Sequence, residues 1–243
     1  QSAILAQNGF GGAKEILEGP YGFFNLYERG EYDREKLVTP LENRYHIMDL
    51  SFKPYPACRM THATIQAVLD LNNQEAVSPD NIENVRVEVS PMVFEMVGNP
   101  FKIRENPQVD AQFSIPYTVA VVLSKGDVFI EDFEESVVRS SNFKDLTDNV
   151  TVFPNKKLPP NDMKCTSVEI TLKNGRRLKT TVNTLKGSPS MDMDWDACLE
   201  KFEKCVPYSA KKFSRESVEV LTDRVRNLEK LKDVSLLTES LAA

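Results

Sequence analysis

The chain has 243 residues, of which 41% are hydrophobic and 27% are charged, and its formal net charge is −6 at pH 7. These proportions are those of an ordinary globular protein, and the length allows one large domain or two modest ones. The Lys and Arg residues are scattered, which argues against a nucleic-acid-binding protein because phosphate contacts need clustered basic residues. A local pocket for a small anion is still allowed, since the net charge does not determine the charge of one site.

The four cysteines are widely spaced and form no CxxC pair, so the sequence predicts neither a disulfide framework nor a recognisable zinc site. We therefore expect reduced thiols and a cytoplasmic protein. The longest apolar stretch, residues 117–123, is too short to span a membrane. The chain opens without Met and already in a helical pattern, which predicts that it begins inside an element of a longer protein.

The first half of the chain mixes helical and alternating patterns. The predicted elements are, in order, a helix ending at Asn8-Gly9, a helix over 13–17, a strand over 45–52, a helix over 56–71, a strand over 85–89 and a helix over 109–123. Pro56 suits the first turn of its helix, since proline is favoured there. The helix over 109–123 is richly apolar towards its end and is expected to stop near Gly126.

The second half begins with strands and ends with helices. The predicted elements are, in order, a helix over 131–139, strands over 150–153, 168–172 and 178–182, and helices over 194–205 and 215–230. Asn174-Gly175 predicts a hairpin between the last two strands, and Ser214 is the expected cap of the last helix. The chain has helices at both ends and both helices and strands in between. This order predicts an α+β fold in which a helical domain is interrupted by a smaller α+β domain.

The segment that points most strongly to chemistry is residues 53–62, KPYPACRMTH. Lys53 precedes a predicted helix N-terminus, where free N–H groups and the helix dipole favour anions. Cys58 and His62 are four residues apart and would share one helix face. A cation, a helix end and a titratable imidazole together suit carboxylate chemistry. The alternative interpretation is a surface lysine and a histidine at the edge of the core.

Two further segments carry candidate binding residues. Gln112 and Ser114 are polar residues near the start of an otherwise apolar helix, and Tyr117 adds a phenol; the alternative is helix capping and a packed tyrosine. Lys186 follows the last predicted strand, where a solvated lysine is the alternative.

Taken together, these segments resemble the MmgE/PrpD family, whose members include 2-methylcitrate dehydratase, cis-aconitate decarboxylase and iminodisuccinate epimerase. The resemblance runs in the family's order through residues 5–10, 16–23, 51–62, 110–117, 175–176 and 186–189. Residues 53–62 are its most specific part.

The resemblance implies a large helical domain and an α+β lid, with the active site in the cleft between them. It places residues 1–50 and 188–243 in the helical domain and residues 51–187 in the lid. The family's complete site also takes an Asp, a His and a basic residue from a segment upstream of Gln1. By this pattern the chain is an incomplete, inactive fragment, and we expect a homodimer or association with the absent N-terminal part.

The resemblance also implies a lyase that removes a proton next to a carboxylate and then expels a hydroxyl group. The substrate would be a small di- or tricarboxylate such as 2-methylcitrate, with neither metal nor organic cofactor. Lys53 is the first catalytic candidate, and His62 is an acid, a base or an orienting residue. The substrate-binding candidates are Tyr55, Cys58, Gln112, Ser114, Tyr117 and Lys186.

Three alternatives remain open from the sequence. A decarboxylase of the same family is the first alternative. Some relatives carry histidine at the position of Cys58, and the cysteine here weakens the inference that this protein is a decarboxylase. An isomerase or epimerase of the same family is equally compatible with the motifs. A non-catalytic regulatory or assembly module is the alternative from another functional class.

Overall fold

The computed structural model describes residues 1–38, 45–75, 77–140 and 142–241. The chain divides into two compact units, Gln1–Asp49 and Leu50–Ala243. Among the described residues, no helix has both the length and the apolar character needed to cross a membrane.

The first unit contains short helices separated by turns. They are α1 (Ser2–Gln7), α2 (Phe23–Tyr27), α3 (Arg34–Val38) and a 3-10 helix, His46–Asp49. The predicted end of the first helix is confirmed, because Asn8 follows α1 and Gly9 has a φ of 85°. Many large apolar side chains of this unit are more than half exposed, among them Ile4, Phe10, Ile16, Tyr21 and Leu26.

Two predictions for this region are wrong. Residues 14–17 form turns rather than a helix. The predicted strand over 45–52 contains the 3-10 helix instead. Its alternation is imperfect: the neighbours Ile47 and Met48 are both more than 70% exposed, at 71% and 74%, so no single face is available for burial in a sheet.

The second unit is built around a mixed β-sheet. Its strands are β1 (Ile82–Val89), β2 (Val150–Pro154), β3 (Thr166–Leu172) and β4 (Arg177–Val182), in the order β2-β1-β3-β4. The β1–β2 pair is parallel and the other two pairs are antiparallel. The predicted strands after residue 80 and the hairpin are confirmed, and Gly175 adopts a φ of 83° in the turn that joins β3 to β4. Side chains along β3 alternate between buried and half-buried, as a sheet with one covered face requires.

Helices cover the sheet and form the rest of the unit. They are α4 (His62–Gln74), α5 (Pro91–Val97), α6 (Pro107–Gln112), α7 (Ile115–Lys125), α8 (Glu135–Val138), α9 (Lys144–Asp148), α10 (Trp195–Cys205), α11 (Arg215–Arg226) and α12 (Ser235–Leu241). Helix α4 packs against α7, β3 and β4, while α7 packs against β2. All of residues 115–123 are buried, so α7 lies at the centre of the core. The fold is α+β, as predicted.

Two helices begin or divide differently from the prediction. The helix expected from Pro56 begins with a 3-10 turn, Arg59–Thr61, followed by α4, because Cys58 is extended with a ψ of 136°. Pro54 and Pro56 also disfavour helical backbone in the residues before them. The helix predicted over 109–123 is two helices, since Ser114 is extended and caps α7 by accepting a hydrogen bond from the Tyr117 N–H at 3.1 Å.

The helices of the C-terminal region start where the sequence predicted. Asp194 accepts a hydrogen bond from the Ala197 N–H at 2.8 Å and caps α10. Ser214 caps α11 in the same way through the Ser217 N–H at 3.1 Å. These capping bonds satisfy N–H groups that have no partner within the helix.

Candidate functional site

Two loops that are far apart in sequence lie side by side in the second unit. The Phe52 N–H donates to the Gly187 carbonyl at 2.8 Å, and the Arg59 guanidinium donates to the Lys186 carbonyl at 2.9 Å. Gly187 has a φ of 83°, and a Cβ added there would lie 2.4 Å from the Phe52 carbonyl oxygen. Only glycine allows the backbones of residues 52 and 187 to come this close. The contact therefore brings the backbone next to Lys53 close to that of Lys186.

Replacing Gly187 with Ala is expected to lower the free energy of unfolding by about 2–3 kcal/mol, because the new Cβ is both strained and in collision with Phe52. Gly175→Ala is the matched control, since Gly175 has the same φ of 83° but no atom within 4 Å of an added Cβ. Urea denaturation of both variants measures the difference. Equal destabilisation of the two would show that the loop contact contributes nothing.

Three lysines meet where these loops join, and we call them the lysine cluster: Lys53, Lys186 and Lys201. The Lys201 ammonium, on α10, donates to the Lys53 carbonyl. Lys53 is exposed, whereas Lys186 and Lys201 are half-buried. None of the three has an ion pair with any residue that the structure describes. Their positive charges are therefore available to a negatively charged ligand.

A neighbouring lysine shows the contrast. The Lys204 ammonium lies 3.3 Å from a carboxylate oxygen of Asp127 and 3.3 Å from one of Glu200, so its charge is already compensated. Arg59, on the segment beside the cleft, also has no carboxylate partner among the described residues.

A cleft of about 290 Å3 opens beside the lysine cluster. Its lining consists of Pro54, Tyr55, Leu69, Gly126, Asp127, Val128, Phe129, Lys186, Met193, Ala197, Glu200, Lys201 and Lys204. Burial, together with the charges of Asp127 and Asp70, raises the pKa of Tyr55 to about 12, so the phenol stays protonated at neutral pH. The cleft therefore offers ammonium groups and a neutral hydroxyl beside an apolar wall, which suits a small carboxylic acid.

His62 is buried at the start of α4, and both of its ring nitrogens have partners. Nε2 lies 3.3 Å from the Ala57 carbonyl oxygen, and Nδ1 lies 3.2 Å from an Arg59 guanidinium nitrogen. A carbonyl only accepts and a guanidinium only donates, so the proton is on Nε2 and the ring is neutral. Burial, together with the charges of Arg59, Lys53 and Lys201, lowers the pKa of His62 to about 3, although the hydrogen bond to Ala57 acts in the opposite direction.

The depressed pKa of His62 predicts a pH dependence of stability. In the unfolded chain this pKa is 6.5, against about 3 in the fold, so the unfolded state binds the proton more tightly. The stabilisation is fully present above pH 6.5 and is lost at about 1.4 kcal/mol per pH unit as the pH falls towards 3. Urea denaturation between pH 7 and 4 should show this extra slope in the wild type and not in His62→Asn. Parallel curves for the two proteins would contradict it.

Cys58 and Gln112 are joined by backbone contacts. The Cys58 N–H donates to the Gln112 carbonyl at 2.9 Å, and the Gln112 side-chain amide donates to the Pro56 carbonyl at 3.0 Å. These bonds fix the bend at residues 54–57, of which residues 56 and 57 were expected to belong to the predicted helix. Cys58 precedes α4 and therefore does not share a helix face with His62, which corrects that expectation.

Ser114 and Tyr117 lie in the core. Ser114 is buried and caps α7, as described above. The Tyr117 hydroxyl donates to the Asp132 carbonyl at 2.5 Å, and its ring contacts Phe101, Phe133 and Phe143. Burial and the charge of Asp132 raise the Tyr117 pKa. Tyr117 lines a separate cavity of about 270 Å3 that none of the lysine cluster reaches.

Sequence reasoning missed Arg59 and Lys201. Arg59 lies inside the segment that the sequence singled out, so a basic residue beside His62 was a usable signal. Lys201 contacts Lys53 across 148 residues, and no pattern in the sequence around Lys201 indicates that it belongs to the site. Among the described residues, no group of three or more His, Cys, Asp or Glu side chains could hold a metal ion, and all four cysteines are free.

Comparison with known proteins gives the family. Residues 55–229 match the MmgE/PrpD C-terminal domain. The human cis-aconitate decarboxylase is 26% identical over 249 residues, which cover 99% of this chain and 50% of the human protein. The Aspergillus terreus cis-aconitate decarboxylase is 26% identical over 254 residues, covering 98% of this chain and 51% of that protein. The chain thus spans about half the length of the curated relatives it matches. It belongs to the MmgE/PrpD family, whose C-terminal domain it carries.

Proposed function

We propose that the protein is a lyase of small di- and tricarboxylates and that this chain supplies the cationic, carboxylate-binding part of its active site. The observation that carries the proposal is the lysine cluster: Lys186 and Lys201 line one cleft, Lys53 lies on the segment beside it, and none of the three has an ion pair among the described residues. Uncompensated cations beside a partly apolar cleft favour an anionic ligand over a neutral one.

The cluster also suits the reaction. Removing a proton from a carbon next to a carboxylate develops enolate-like negative charge, which fixed positive groups stabilise. We assign this role to Lys53 and assign Lys186 to a substrate carboxylate. Lys201, by donating to the Lys53 carbonyl, holds that backbone in place. The proton-transferring groups are not assigned to this chain, because both nitrogens of His62 are engaged.

Two outcomes of the same carbanion chemistry are candidates. The first is loss of a hydroxyl group from a hydroxy acid such as 2-methylcitrate. The second is decarboxylation, which the names of the relatives favour. Epimerisation would follow if, after proton removal, a proton were delivered to the opposite face of the same carbon before the hydroxyl group was lost.

Incubation of the full-length gene product with 2-methylcitrate, citrate, cis-aconitate and propionate in D2O, followed by NMR, tests the proposal. We expect turnover of a tricarboxylate and none of the monocarboxylate propionate. Water loss, CO2 loss and deuterium exchange without net loss give different spectra and identify the reaction. Binding of tricarboxylates without any turnover would favour the non-catalytic module, and neither binding nor turnover would contradict the proposal.

Association with further polypeptide is also proposed. The exposed apolar side chains of the first unit form the kind of surface that usually becomes covered. We expect a homodimer of the full-length gene product, measured by light scattering across a hundredfold range of concentration. A monomer throughout that range would contradict it.

A further inference from the structure

Arg59 is the link between the segment that carries Lys53 and the turn that carries Lys186. It lies in the 3-10 turn before α4, and one of its terminal nitrogens donates to both the Lys186 carbonyl at 2.9 Å and His62 Nδ1 at 3.2 Å. The contact to Lys186 spans 127 residues. The guanidinium therefore fixes the backbone from which the Lys186 side chain enters the cleft.

His62 in turn fixes Arg59. The imidazole is held from three sides: by Ala57 at Nε2, by Arg59 at Nδ1, and by the Tyr55 ring, whose centroid lies 5.2 Å from that of His62. In this tautomer the Nδ1 lone pair faces the guanidinium. A neutral acceptor locks the planar guanidinium without neutralising its charge.

The second terminal nitrogen of Arg59 is buried and has no hydrogen-bond partner among the described residues. Burying an unpaired donor on a charged group is costly. Such a cost is common where a side chain is held for function rather than for stability. Because no carboxylate offsets the guanidinium, its full charge also adds to the positive potential of the cleft.

We propose that Arg59 and His62 form a positioning pair for Lys186: the neutral imidazole orients the guanidinium, and the guanidinium sets the Lys186 backbone so that its ammonium meets a substrate carboxylate. The inference rests on the proposed function, since Lys186 has a ligand only if the cleft binds carboxylates. It gives His62 an orienting role in place of proton transfer.

A double-mutant cycle on the full-length gene product tests the pair. Arg59→Lys keeps the charge but cannot bridge His62 and the Lys186 carbonyl together. We expect it to raise KM for the turned-over tricarboxylate about tenfold in the wild-type background and less than about twofold in a Lys186→Met background, since residues that act through one another are not additive. Arg176→Lys is the control, because Arg176 pairs with Glu75 on the surface and should leave KM unchanged.

Substitutions of His62 separate positioning from proton transfer. Asparagine can place an acceptor oxygen near the position of Nδ1, so His62→Asn should keep both kcat and KM within about threefold of the wild type. His62→Phe keeps a ring against Tyr55 but offers no acceptor, and should raise KM about tenfold. If His62 transfers protons, His62→Asn will instead lower kcat by about 10²–10⁴ at unchanged KM.

The outcomes separate the two proposals. If the wild type binds and turns over no carboxylate, the proposed function fails and the positioning pair fails with it. If the wild type is active but the cycle is additive, or His62→Asn loses kcat alone, only the positioning pair is overturned. Circular dichroism confirms that each variant is folded, and the Arg59 cycle decides the question if His62→Phe does not fold.

Discussion

Lys53→Met is expected to lower the turnover of the carboxylate substrate by about 10²–10³, with the fold retained. Removing one fixed group that stabilises developing negative charge typically has this effect, equivalent to about 2.7–4 kcal/mol of transition-state stabilisation. The Lys53 side chain is exposed, and Lys201 bonds to its backbone carbonyl rather than to its ammonium. Methionine should therefore remove the charge and leave the loop in place.

The control for this prediction is Lys173→Met. Lys173 is exposed beside the β3–β4 hairpin and has no ion pair with the residues that the structure describes. Its loss should leave kcat unchanged. Lys53→Arg, which keeps the charge but spreads it over a larger group, should retain more activity than Lys53→Met. Near wild-type turnover of folded Lys53→Met would remove Lys53 from the site.

Tyr117→Ala is expected to lower the free energy of unfolding by about 3–5 kcal/mol, the usual cost of deleting a buried aromatic ring. The ring is 2% exposed and contacts three phenylalanines at the centre of the second unit. Tyr117→Phe keeps this packing and loses only the hydrogen bond to the Asp132 carbonyl, so about 1–2 kcal/mol is expected.

Urea denaturation of the two Tyr117 variants measures these losses. Tyr208→Phe is the control. The Tyr208 hydroxyl also donates a hydrogen bond, to the Glu131 carboxylate, but Tyr208 is 45% exposed. Its loss should change stability by less than about 0.5 kcal/mol. Turnover should survive Tyr117→Phe. A large loss of kcat in a stable Tyr117→Phe protein would return Tyr117 to the substrate-binding residues.

The strands were predictable because their side chains alternate between two environments. Residues 85–89 and 168–172 place every second side chain in the core, and the Asn-Gly turn fixes the pairing of β3 with β4. The start of α4 was not predictable from Pro56 alone. The bend before it depends on hydrogen bonds from Cys58 and to Pro56 that involve Gln112, a residue far along the chain.

The candidate site was predictable only in its local part. Residues 53–62 carry their cation and imidazole within ten positions, so sequence could single them out. The partners that give those residues their geometry, Lys186 and Lys201, are brought in by tertiary structure across more than a hundred positions. Ser114 and Tyr117 show the converse, since a capping serine and a packed tyrosine look the same in sequence as ligand-binding residues.

The central claim, that the lysine cluster binds carboxylates, is tested most directly by an NMR titration of the 15N-labelled chain with cis-aconitate. We expect saturable shifts of the backbone amides in residues 52–62 and 185–201, weakened by salt as screening predicts, and at least about tenfold weaker for propionate. The Lys53→Met, Lys186→Met double variant should lose these shifts. Shifts that are absent, spread over the whole surface or unchanged in the double variant would contradict the claim.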